Sequence, residues 1–165
     1  MKSNTKKSLE FFSLSSPPPL PQDAAERESI QFLSEEDRAT FTRGGALMND
    51  HIKAAAFHFE DYGMHMAVIE WGAGLAVPLH DHNETCLYYI DRGSIRMGNR
   101  ELGPGEGMLV PAGQAYGYTA GPEGVRIVEF TTGNKGASVM HVLDRNLDRW
   151  LGKMEKAVHT LEGAA

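Results

Sequence analysis

Glycine placement constrains what this chain can fold into more than any other feature. Of its 18 glycines, 14 fall between Gly63 and Gly136, two to nine residues apart except for one gap of 19 between Gly74 and Gly93. Glycine adopts positive φ at little steric cost, so this spacing punctuates short strands, and short strands at regular intervals build sandwiches or barrels. Between the glycines the side chains alternate: Met64, Met66 and Val68 fall on one face of a segment, and His65, Ala67, Ile69 and Trp71 on the other. A strand series opening near Ala54 continues at 64–71, 75–82, 86–91, 94–97, 100–102, 107–110, 115–119, 125–131 and 138–143. Arg92-Gly93 reads as a turn and Gly98-Asn99 as a hairpin turn. About nine short antiparallel strands with helices only at the ends predict an all-β fold, a small jelly roll or β-barrel.

The flanks read differently. Residues 1–21 form a leader rich in serine and proline, with Pro17, Pro18, Pro19 and Pro21, which is expected to be extended or mobile unless it packs on a neighbour. A helical arm is expected over 22–53, with helix at 22–41 in one or two pieces. Ser34 followed by Asp37 resembles a capping box. The barrel then occupies 54–143. At 144–165 an amphipathic helix is expected, because Leu147, Trp150, Leu151, Met154, Val158 and Leu161 share one face.

Acidic residues outnumber basic ones 22 to 16, a net charge of -6 in 165 residues, so no basic field is available to collect nucleic-acid phosphates. No apolar run approaches the ~18 residues of a membrane span, and no secretory signal is expected at the start. Cys86 stands alone, which precludes an internal disulfide and suits a reducing cytoplasm.

The chemistry concentrates at Pro78-Leu79-His80-Asp81-His82-Asn83-Glu84-Thr85-Cys86. Residues two apart in a strand project to one side, so His80 and His82 can chelate a single metal. Thiolate with imidazole suits zinc or copper, whereas a carboxylate or phenolate with two histidines suits iron or manganese. Taken alone, Cys86 is equally a small buried apolar residue or, beside His82, a nucleophile or ligand. Tyr116 and Tyr118 share a face, Tyr88 has the parity of Cys86, and Tyr89 points the other way. Arg96 and Glu129 are strand charges whose facing the pattern leaves open; either would need a partner if buried.

Gly74, five residues, His80-x-His82 and then Gly93 resembles the first signature motif of the cupin superfamily. Gly105, five residues, then Pro111-x-Gly113 resembles the second. The resemblance covers residues 64–130 and implies the cupin jelly-roll barrel. It also implies a ligand set, of which His80 and His82 are present. Cys86 occupies the position of the family's metal-binding glutamate, with Glu84 the nearest carboxylate. Tyr116 occupies the position of the third histidine and Ala120 that of the asparagine often following. The Pro-x-His-Asp-His run and the cysteine are also similar to thiol dioxygenases, although those enzymes keep the third histidine.

The resemblance therefore implies one divalent metal (iron, zinc, manganese, nickel or copper) on His80, His82, Glu84 and Cys86, with Tyr116 handling a proton and Tyr88 and Tyr118 lining a ligand pocket. The implied activity is an oxygenase or lyase/isomerase acting on a small organic compound. The alternative is a metal-free cupin that binds or senses a ligand. No nucleic-acid or membrane partner is expected, and a homodimer is implied by the family's habit of pairing.

Overall fold

A computed structural model describes residues 9–18, 32–132 and 140–163. Helix α1 spans Glu35–Met48 and is capped as the capping box predicts: the Ser34 hydroxyl accepts from the Asp37 amide at 3.1 Å. The expectation over 22–41 allowed one helix or two breaking near Ser34; a helix does begin after Ser34 and runs past Phe41 to Met48, while 22–31 lies outside the described residues. Eight strands follow: β1 Ile52–Phe59, β2 Met64–Trp71, β3 Ala76–His82, β4 Cys86–Met97, β5 Arg100–Leu102, β6 Gly107–Val110, β7 Tyr116–Thr132 and β8 Met140–Val142. Helix α2 closes the chain at Leu147–Gly163.

All pairings are antiparallel. The sheet order is β1-β2-β7-β3-β8, with β4 pairing β5, β6 and β7. Strand β7 organises this arrangement. Its first half pairs with β3, its second half with β2, and β4 runs beside both. The sheet curls into a half-barrel of the jelly-roll kind, in agreement with the expected fold class.

Two expected breaks are instead bends within long strands. Arg92-Gly93 does not turn the chain, and 115–119 and 125–131 join as one strand of 17 residues. At both places the ladder slips, so inward parity passes from Cys86, Tyr88 and Ile90 to Ile95 in β4, and from Tyr116, Tyr118 and Ala120 to Val125, Ile127 and Glu129 in β7. Gly93 and Gly124 sit at these slips with φ of 69° and 74°. A Cβ on Gly93 would lie 2.1 Å from the Gly124 carbonyl oxygen, so neither the conformation nor the space admits another residue. Bulges of this type add twist, which lets two long strands wrap a core.

Inside the curl, Cys86, Ile90, Ile95 and Ile127 are fully buried, with Val77, Leu102, Val110 and Val125 around them. A second layer packs α1 and α2 against β3. Trp150 stacks on Phe41 at 5.5 Å and donates its indole N–H to the Ala76 carbonyl at 2.8 Å. The buried residues of α2 are Leu147, Trp150, Leu151, Met154 and Val158, as its apolar stripe predicts. On the opposite face of β1, β2 and β7 a third cluster centres on Phe57, Met66 and Val68, and Phe12 of the leader packs 4.9 Å from Phe57. Among the described residues no helix is long and apolar enough to cross a membrane.

Candidate metal centre

Three elements converge on one buried point inside the curl. Strand β3 brings His82, whose carbonyl accepts from the Gly113 amide at 2.8 Å, so the Pro111-Ala112-Gly113 turn clamps the end of that strand. Strand β4 brings Cys86 and Tyr88, and β7 brings Glu129. Cys86 and Tyr88 pair in register with Thr131 and Glu129. An imidazole nitrogen of His82, the Cys86 sulfur and a carboxylate oxygen of Glu129 all lie within 4.8 Å of one another. His82 is 9% exposed, Cys86 0% and Glu129 7%.

Glu129 is held as an acid in a dry place. Burial pushes its carboxyl above the ordinary range, and hydrogen bonds from the Cys86 thiol and the Tyr88 hydroxyl offset part of that rise. No lysine or arginine among the described residues forms an ion pair with it. The Tyr88 and Tyr116 oxygens are 2.5 Å apart. Tyr88 has one proton, and with that proton on Glu129, Tyr116 is the donor to Tyr88. The result is a chain of donors running Tyr116 to Tyr88 to Glu129. Burial pushes the hydroxyls of Tyr88, Tyr116 and Tyr118 well above the ordinary phenol range. They act here as proton-holding donors and are poor bases.

His80 lies beside this group. It is 2% exposed, its ring centroid is 5.0 Å from that of His82 and 4.2 Å from that of Tyr116. Its Nδ1 is 2.8 Å from the Pro78 carbonyl, which fixes the proton there and leaves Nε2 with a lone pair. Burial lowers its pKa, so the ring is neutral at pH 7.

The remaining expected site residues divide. Cys86 and Tyr88 point inward and Tyr89 outward, as their parity requires. Tyr118 is buried behind Tyr116, with ring centroids 6.5 Å apart. Glu84 lies outside the three-residue group, half-buried in the β3–β4 connection, with its backbone carbonyl oxygen 3.6 Å from the Cys86 sulfur. Arg96 is exposed. The carboxylate that does join is Glu129, whose facing the sequence pattern left open. The signal was present: it shares parity with Val125 and Ile127, and that apolar alternation marks the inward side.

The donor chemistry fits a metal ion. One nitrogen, one sulfur and one carboxylate oxygen converge, and a buried carboxyl without a cationic neighbour gains most from a divalent charge.

The fold is similar to that of oxalate decarboxylase from Bacillus subtilis. A single-site mutant and the structure at pH 4.6 each match with TM-score 0.51 and 17% identity, over 56% of this chain and 28% of that one. A two-residue deletion mutant matches at 18% identity with the same TM-score and coverage. The chain therefore spans under a third of the length of these structures, and a likeness at this identity concerns the fold alone, a jelly roll consistent with the cupin type. No protein-family model matches the sequence, and no curated protein is similar to it.

Proposed function

We propose that this protein is a metal-dependent cupin in which His82, Cys86 and Glu129 hold one divalent ion and a small organic compound is transformed beside it. The observation that carries this reading is the mutual approach, within 4.8 Å, of three unlike ligand atoms in a buried place. A thiolate and an imidazole favour zinc over the harder ions. Such an ion would supply Lewis acidity toward a substrate oxygen, which suits lyase or isomerase chemistry better than oxygenation. His80 keeps an unprotonated Nε2 next to the group. Tyr116 and Tyr88 keep their protons and can steady negative charge developing on a ligand. The lyase reading also agrees with the name of the decarboxylase whose fold is similar. A single free thiol suits a reducing compartment, which supports the cytoplasm.

Elemental analysis of protein purified without chelator or affinity-column metal tests this. About one equivalent per chain is expected, falling below about a tenth in His82→Ala, Cys86→Ala and Glu129→Gln. Cobalt loading should give a thiolate charge-transfer band that disappears in Cys86→Ala. Less than about a tenth of an equivalent in the wild type, before and after dialysis against zinc or manganese, would sink the metal reading and favour a metal-free binding cupin.

A further inference from the structure

A second cleft, whose lining contains none of His82, Cys86 and Glu129, opens where the start of α2 meets the β3–β7 ladder and the β4–β5 hairpin. Its volume is about 340 Å³, and its lining includes Arg96, Arg149 and Lys153 over a floor of Tyr118 and Trp150. Arg149 and Lys153 are four apart on α2 and so lie on one helix face, about 6 Å between Cβ atoms. Arg96 approaches from the end of β4. None of the three forms an ion pair among the described residues. Glu101, the cross-strand neighbour of Arg96, is not within ion-pair distance of it.

The one carboxylate in the lining, Asp144, is outnumbered by the three cations and is not ion-paired with any of them. Asp144 accepts from the Asn146 amide at 3.0 Å and from the Leu79 amide at 3.4 Å, so it braces the backbone at the foot of the helix. Three cations without carboxylate partners around one concavity are unexpected in a chain whose net charge is -6. Like charges lining one cleft repel one another, and an anion between them reduces that cost. Guanidinium pairs bind phosphate and carboxylate through two parallel hydrogen bonds, and the ammonium adds a third point of contact.

We infer that this cleft binds a small ligand carrying at least two oxyanion groups, phosphate or carboxylate, at a place separate from the metal centre. The volume suits a compact metabolite. Two probes distinguish the two oxyanion chemistries: inorganic pyrophosphate and citrate, titrated calorimetrically into the full-length protein at low ionic strength.

At least one of them should bind at about one equivalent with a sub-millimolar Kd. Affinity should fall at least tenfold in the Arg149→Ala/Lys153→Ala variant, and likewise in Arg96→Gln. These residues are exposed, and alanine favours helix, so the fold should persist; an unchanged melting temperature checks this. Lys156→Ala, on the same helix but outside the cleft, should bind as the wild type does. Binding should also survive His82→Ala, since both probes chelate metals. The inference is overturned if neither anion binds, if the double variant retains affinity, if Lys156→Ala weakens binding as much as the double variant, or if binding disappears with His82.

Discussion

The two ends of the β4–β7 ladder lie on the same strands, equally hidden from water, and they are chemically opposite. At one end Ile90 pairs with Ile127, and Ile95 with Ala120, and every one of these side chains is apolar. At the other end Cys86 pairs with Thr131 and Tyr88 with Glu129. Hydrophobic burial stabilises the first end at roughly 25 cal/mol per Å². The second end buries a carboxyl group, a thiol and phenols, which costs free energy unless partners satisfy them. Stability and chemistry are therefore carried by different halves of one ladder. Substitutions should separate them.

The largest effect belongs to the dry end. Ile127→Ala removes a fully buried side chain from among Ile90, Val125 and Tyr118, and should cost about 2–4 kcal/mol. Chemical denaturation measures it. Metal bound per folded molecule should stay unchanged; a parallel loss of metal would show that the two ends are one unit.

Glu129→Gln is the converse and should act in opposite directions with and without metal. The folded carboxyl has a raised pKa, so it contributes stability that is present below its ordinary pKa and is lost as pH rises through the raised value. The substituted amide cannot ionise, so the metal-free variant should melt higher than the metal-free wild type at neutral pH. A gain of ~1 kcal/mol would appear as a rise of ~2–4 °C. The wild type, however, should gain ~2.7 kcal/mol from metal at a hundred times its Kd, and the variant should gain little. A variant that melts lower than the wild type when both lack metal would contradict the account of a buried, uncompensated acid.

How much of this was legible follows from what each end asks of its residues. The barrel was readable because alternation and glycine spacing are local properties. Arg92-Gly93 and the Gly121–Gly124 region were misread for the same reason. A glycine at positive φ marks a turn or a bulge equally well, and only the partner strand decides between them. His80, His82 and Cys86 were visible as a cluster because they are near in sequence. Glu129 comes from a strand over 40 residues further on, and the sequence pattern left its facing open. Its membership depends on the register of β4 against β7, which no short window contains. Glu84, close in sequence, lies half-buried in the connection between β3 and β4, outside the three-residue group. The oxyanion cleft has no sequence signature, because Arg96 meets Arg149 and Lys153 only when α2 docks on the barrel.

The smallest effect sharpens the boundary of the polar end. His65 lies across from His58 with rings stacked 4.5 Å apart, and its Nδ1 is 3.2 Å from the Thr131 hydroxyl, next to the Cys86 row. Burial, with some repulsion from His58, lowers its pKa from 6.5 to about 4. A depressed histidine contributes stability that is present above its ordinary pKa and is lost as pH falls from 6.5 toward 4. His65→Gln keeps a hydrogen-bond donor for Thr131 but cannot charge, so the variant should lose less stability over that interval. Because His65 is only partly buried, solvent screening holds the difference to about 1 kcal/mol or less. Glu129 titrates in both proteins and cancels in the comparison. Denaturation midpoints of the pair at several pH values between about 4 and 7 measure what is left. Parallel curves would mean that the imidazolium is solvated in the fold, and the polar end would then stop at Thr131.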